Sequence, residues 1–163
     1  MISYTVHVPY VAEILLKLTL ASVLGAIVGA ERDITGRPAG LRTNMIISLS
    51  SCLFTVLSSD AFTATSNDQT RIASQIVVGV GFLGAGVLMQ QKERIVGLTT
   101  AADIWLVAAI GMAIGAGYYV IGTFVALFSV TAIVALGPLS HHLEKIGRSN
   151  HSAKNREPNK KSA

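Results

Sequence analysis

The stretch 71-RIASQIVVGVGFLGAGVLMQQKERIVGLTTAADIW-105 decides how this chain is to be read. Its first half is apolar for roughly 20 residues, about 30 Å as a helix, which matches the hydrocarbon core of a bilayer. Four glycines (Gly79, Gly81, Gly84 and Gly86) interrupt it, and in water each would cost a helix about 1 kcal/mol relative to alanine. In lipid a helix satisfies its own backbone, and small residues let neighbouring backbones come close. Gln75, Gly79 and Gly86 share one helix face, whereas Gly81, Gly84 and Ala85 share the opposite one. A span that is small on two sides is expected in the middle of a bundle, contacted on both. The charged run Gln90–Arg94 then reverses the chain into a helix headed by Thr99, Thr100 and Asp103.

Composition agrees with a membrane protein. Of 163 residues 51% are hydrophobic and only 13% charged, about half the charged share of a soluble domain. Mean hydropathy is +0.56. Cys52 is the one cysteine, so neither a disulfide framework nor a cysteine metal pair is available. Its place in an apolar run reads as a small buried hydrophobe.

Hydrophobic runs divide the chain into an external segment, residues 1–10, and five spans at about 11–30, 43–62, 71–90, 99–117 and 120–137, followed by a basic tail, 138–163. Residues 1–10 lack the basic start and cleavage site of a signal peptide, so the first span is expected to remain. Within it Glu13 and Lys17 lie four apart and can pair, and Ala21, Gly25 and Gly29 form a close-packing stripe. Gly36, Pro38 and Gly40 break the first loop. Gly137–Pro138 is expected to end the fifth span, and the polar tail beyond to be mostly disordered.

Eleven of the thirteen Lys and Arg residues fall on one side of this arrangement. The positive-inside rule then puts the N-terminus outside and the C-terminus in the cytoplasm. The net charge of +4 follows from topology and attraction to anionic lipid; nucleic-acid binding is not implied.

Two polar layers emerge. The cytoplasmic one holds Glu31, Arg32, Asp33, Arg42, Asn44, Thr99, Thr100 and Asp103; the outer one holds Glu13, Lys17, Asp60, Asp68, Arg71 and Gln75. Asp103, about one turn inside its helix, needs a partner, and Arg42 or Arg32 can supply it. The cytoplasmic layer either fixes helix register or forms a polar pocket for a cation or a partner protein. Gly79–Gly84 matches G-x-G-x-x-G but lies inside a span, without the strand a dinucleotide site requires. His141, His142 and His151 lack structural-zinc spacing. Ser51 and Cys52 have no histidine near enough in the sequence to activate them. No enzyme constellation is present in the pattern.

Four blocks carry a resemblance: Gly25-x-x-x-Gly29-x-Glu31-Arg32; Arg37–Thr43; Arg71–Val87; and Gly97–Ala102 continuing through Trp105 to Gly111. In this order they resemble the MgtC/SapB family of bacterial inner-membrane proteins, over roughly residues 11–137. The resemblance implies a multi-pass domain linked to growth under magnesium limitation, and a regulatory role that restrains the membrane ATP synthase and adjusts ion and phosphate balance. Members are also named as magnesium transporters. Virulence-type members carry a C-terminal ACT-like domain and have Asn and Cys where this chain has Thr99 and Leu106, so the shorter SapB-like branch is the nearer match.

The expected fold is thus all-α, a bundle of five transmembrane helices packed through Gly25, Gly29, Gly79, Gly81, Gly84, Gly86, Gly111 and Gly115. The expected activity is non-enzymatic and the expected partners are the lipid bilayer and either further copies or another membrane protein. No cofactor is required, with Mg²⁺ the one ion to consider. The carboxylates sit at the two boundaries rather than at mid-bilayer, which favours regulation over a cation path. An odd number of spans also does not fit a simple inverted repeat.

Overall fold

The computed structural model describes the backbone of residues 8–60, 71–91 and 94–154, and side-chain surroundings within 9–59, 72–88 and 95–136. Five helices form: α1 Val8–Ile34, α2 Leu41–Asp60, α3 Arg71–Gly86, α4 Leu98–Gly115 and α5 Tyr119–Lys154. A short antiparallel hairpin, β1 Met89–Gln91 with β2 Arg94–Val96, joins α3 to α4. Residues 1–7, the loop 61–70 with Asp68, positions 92–93 and residues 155–163 lie outside the description, as do the side chains of Asp60 and Arg71.

Four of the helices are long and apolar enough to cross a membrane: Pro9–Ile34, Leu41–Ser59, Leu98–Gly115 and Tyr119–Leu136. The third is shorter than its apolar run suggested. It stops at Gly86 after 16 residues, about 24 Å of helix, because the chain from Met89 enters the hairpin. The backbone of residues 89–91 and 94–96 pairs across strands instead of within a helix.

The centre of the main unit, residues 1–128, is α2, with α1 and α4 closed against it. Glycine makes that closure possible. A Cβ on Gly25 would come within 2.6 Å of the Asn44 carbonyl oxygen, and one on Gly29 within 2.6 Å of the Leu41 Cα. On the other flank a Cβ on Gly111 would collide with the Ser48 carbonyl, and one on Gly115 would lie 2.7 Å from that of Cys52. Two glycine pairs, each four residues apart, therefore set α1 and α4 directly on the α2 backbone.

Placing α3 in the middle of the bundle proves incorrect. It leans mainly on α4 through Ile76, Val80, Ile104 and Ala108. Among the described residues nothing lies within 4 Å of a Cβ placed on Gly79, Gly81 or Gly86, and Gly84 makes only ordinary contact with Ala101. Phe82 is 81% exposed. Small residues on two faces permit two neighbours without supplying them, and α2 already has both flanks filled.

Local stops follow backbone chemistry. Gly117 (φ +86°) ends α4, its N–H donating to Ile114 O while Tyr118 N–H donates to Ala113 O, a Schellman closure. Gly97 (φ +94°) opens α4 where a side chain would strike the Val87 carbonyl.

The fifth helix does not end at Gly137–Pro138 but continues to Lys154. An interior proline removes one hydrogen bond and costs about 3 kcal/mol. The Leu, Glu and Lys residues that follow are good helix formers. From Ser129 onward the helix belongs to a second compact unit.

Candidate functional site

The buried polar residues gather where the end of α1 meets the beginnings of α2 and α4. Arg32 is fully enclosed. Its Nε donates to the Pro38 carbonyl at 2.9 Å and stands 3.4 Å from Asp103 Oδ2, and its Nη2 donates to Thr100 Oγ1 at 2.6 Å. Asn44 Nδ2 donates to the same Asp103 Oδ2 at 2.9 Å. One guanidinium thus ties three segments together: its own helix, the loop before α2, and the first turns of α4.

The loop is shaped to allow this. Arg37 N–H returns to the Arg32 carbonyl at 2.8 Å, Gly36 takes φ +66° and Ala39 φ +59°. That path turns the Pro38 carbonyl toward Arg32. Asp33 accepts the Leu41 N–H at 3.0 Å, placing a carboxylate at the start of α2 where the helix dipole favours it.

Of the cytoplasmic-layer residues, Glu31, Arg32, Asn44, Thr100 and Asp103 are buried, and the last four are joined by the contacts above. Arg42 and Thr99 are exposed and take no part. The choice between Arg42 and Arg32 as the Asp103 partner therefore falls to Arg32, which is buried beside it, whereas Arg42 is exposed. In the outer layer Lys17 Nζ and Glu13 Oε1 pair at 3.0 Å, and the Tyr119 hydroxyl donates to Glu13 Oε1 at 3.4 Å. Gln75 is exposed on α3.

The cluster is incompletely satisfied. Glu31 Oε2, Arg32 Nη1, Asn44 Oδ1, Ser48 Oγ and Asp103 Oδ1 are all buried without a hydrogen-bond partner among the described residues. Such atoms are rare in folded proteins and call for a water, an ion or a functional role. Ser48 was not singled out from the sequence, although a signal existed. Asn44, Ser48, Ser51, Thr55 and Ser58 recur at helical spacing and are all buried, a polar stripe along the inner face of α2. Among the described residues no three His, Cys, Asp or Glu come together in a way that could hold a metal ion.

A groove of about 390 Å³ runs between α2 and α3, lined by Ile47, Phe54, Ile72, Gln75, Gly79 and Leu83 among others. Its walls are almost entirely apolar and it is open along one side.

The sequence profile of the MgtC family matches residues 18–142. The chain belongs to the MgtC family. It is 41% identical over 138 residues to YhiD of Escherichia coli K12, a protein provisionally named as a magnesium transporter; the match covers 81% of this chain and 64% of YhiD. SapB of Bacillus subtilis strain 168 is 41% identical over 114 residues, 66% of this chain and 49% of SapB. The Salmonella typhimurium LT2 protein MgtC is 45% identical over 111 residues, 68% of this chain and 45% of that protein. The chain therefore spans roughly half to two thirds of the length of these curated relatives. No solved structure matches it. The MgtC family match encloses every residue of the buried cluster, and with the apolar helices it makes this a bacterial multi-pass membrane protein.

Proposed function

We propose that this MgtC family protein regulates ion homeostasis in the bacterial inner membrane by helix-to-helix contact with another membrane complex. The ATP synthase is the candidate partner that the family resemblance suggests. In this reading the N-terminus is outside, the C-terminus and the Arg32–Asp103 end of the bundle are cytoplasmic, and the role is non-enzymatic. The observation that carries it is the contrast between α2 and α3. The glycines flanking α2 are consumed by packing inside the chain, whereas a Cβ on Gly79, Gly81 or Gly86 of α3 would meet nothing within 4 Å among the described residues. Small residues on an uncovered membrane helix favour close approach of another helix, either a partner's or a second copy's.

A second reading, transport of a cation such as Mg²⁺, is favoured by the buried polar stripe of α2 and by the name given to YhiD. The closures at Gly25 and Gly111 oppose it, since they press α1 and α4 onto the α2 backbone at Asn44 and Ser48.

Two measurements separate these readings. Single cysteines at Val78 or Phe82, in a Cys52→Ser background, should crosslink to one defined membrane partner in intact cells. Selective Mg²⁺ uptake into liposomes holding only the purified protein, abolished by Asp103→Asn, would overturn the regulatory reading.

A further inference from the structure

We propose that the groove between α2 and α3 holds one acyl chain of a phospholipid, with the lipid's phosphate at Arg71 and an ester carbonyl at Gln75. The inference stands whether or not the protein has a partner, because Gly81 and Ala85 of α3 do not line the groove and stay exposed to another helix.

The first support is size. The groove follows α3 from Ile72 to Leu83, about 16 Å of helix. Its volume of about 390 Å³ spread over that length gives a cross-section of roughly 24 Å². Hydrocarbon carbons touch at about 3.5–4.0 Å, so a chain one methylene thick fills roughly 16–20 Å². A helix with its side chains is about 10 Å across and needs roughly 80 Å². The space therefore admits an alkyl chain and not a helix. Phe54 and Leu83 stand half exposed along it, so the chain can enter sideways from the bilayer.

The second support is charge and polarity, which change along the groove as they do along a phospholipid. Arg71 is the first residue of α3, next to Ile72 at one end of the groove. It is the one basic residue between Arg42 and Lys92, and the positive end of the helix dipole adds to its charge. Both favour an anion there, and a guanidinium group matches the oxygens of a phosphate. One turn further in, Gln75 is exposed and lines the groove. Its amide can donate to an ester carbonyl, whereas hydrocarbon alone would leave it unpaired. Beyond it α3 presents only Ile76, Gly79, Val80 and Leu83 to the groove. On α2, Ser50 and Ser51 can return their hydroxyls to carbonyls of their own helix, and the other lining residues are apolar.

The test uses the full chain, purified in detergent and stripped of lipid. It is titrated with dipalmitoylphosphatidylglycerol and, separately, with dipalmitoylglycerol, which has the same acyl chains and no phosphate. Native mass spectrometry counts the lipid bound. The expected result is saturation at one phospholipid per chain, with dipalmitoylglycerol binding about tenfold more weakly. Gly79→Leu fills the groove from a position where a Cβ meets nothing within 4 Å among the described residues. It and Arg71→Gln should each weaken phospholipid binding about tenfold. Gly81→Leu, equally open but off the groove, should bind as the wild type does. Binding that never saturates, or that Gly79→Leu leaves intact, would mean a loose lipid annulus only and would overturn the proposal. Equal binding of the two lipids would remove the phosphate from Arg71 and overturn it too. A lipid-free dimer that Gly79→Leu disrupts would give the groove to a second copy instead. Should Gly79→Leu not fold, Arg71→Gln and the comparison of the two lipids still decide.

Discussion

Arg32 and Asp103, on α1 and α4, face each other at 3.4 Å with side chains 0% and 2% exposed. A pair so enclosed is a poor source of net stability, because removing two charges from water nearly cancels their attraction. Breaking it is a different matter. Arg32→Gln leaves the Asp103 carboxylate buried without its cation and is expected to cost about 3–5 kcal/mol. Arg32→Met combined with Asp103→Leu should recover most of that loss. Unfolding midpoints of Arg32→Met, Asp103→Leu and the double variant, arranged as a double-mutant cycle, measure the coupling. Additive losses would mean that the two groups do not interact.

The glycines of the bundle should separate into two classes. Gly111→Ala puts a methyl group into the Ser48 carbonyl and is expected to destabilise by about 1–3 kcal/mol, the usual range for overpacking. Gly81→Ala meets nothing and should leave the isolated protein unchanged or strengthen α3 by up to about 1 kcal/mol. If Gly81→Ala instead weakens capture of a membrane partner while stability holds, the regulatory reading gains direct support. The reverse order of stabilities would put α3 inside the bundle.

Cys52 is free and fully buried beneath α4, where Gly115 rests on its carbonyl. A membrane-permeant maleimide should leave it unmodified in the native protein and label it completely after unfolding. Phe82→Cys, in a Cys52→Ser background, should label quickly when the reagent can reach the lipid-facing surface. Rapid native labelling of Cys52 would contradict the closure of α4 on α2.

The crossing of α3 can be tested from its flanks. At about 24 Å its helix falls short of the roughly 30 Å hydrocarbon thickness, and the hairpin that follows adds paired polar backbone. If α3 crosses, cysteines introduced at Asp68 and Lys92 will label from opposite sides of sealed vesicles, and one at Ile34 will label from the same side as Lys92. Labelling of Asp68→Cys and Lys92→Cys from one side would reduce the crossings to four.

Much of this was visible in the sequence. Apolar runs located the helices, and the depth of Asp103 demanded a buried cation. Gly25, Gly29, Gly111 and Gly115 carried a packing signal that the contacts with α2 account for. The choice of Arg32 over Arg42 was not visible. It depends on the left-handed turn at Ala39, a conformation that an alanine does not announce. The position of α3 was hidden for a related reason. Glycine density reports how closely a neighbour can approach, and not whether one is there. Ser48 went unnoticed because serines inside an apolar run read as small residues; only the five-membered polar stripe on one face of α2 marks it.

The seating of α4 on α2 also dictates an order of assembly during synthesis. When the ribosome has made only the first two helices, α1 can fold back on α2 through Gly25 and Gly29, but Arg32 then waits without its carboxylate. The 42 residues 61–102, all of α3 among them, must emerge before Asp103 arrives. The closed hairpin of α1 and α2 thus carries an unanswered charge until the fourth helix comes to neutralise it.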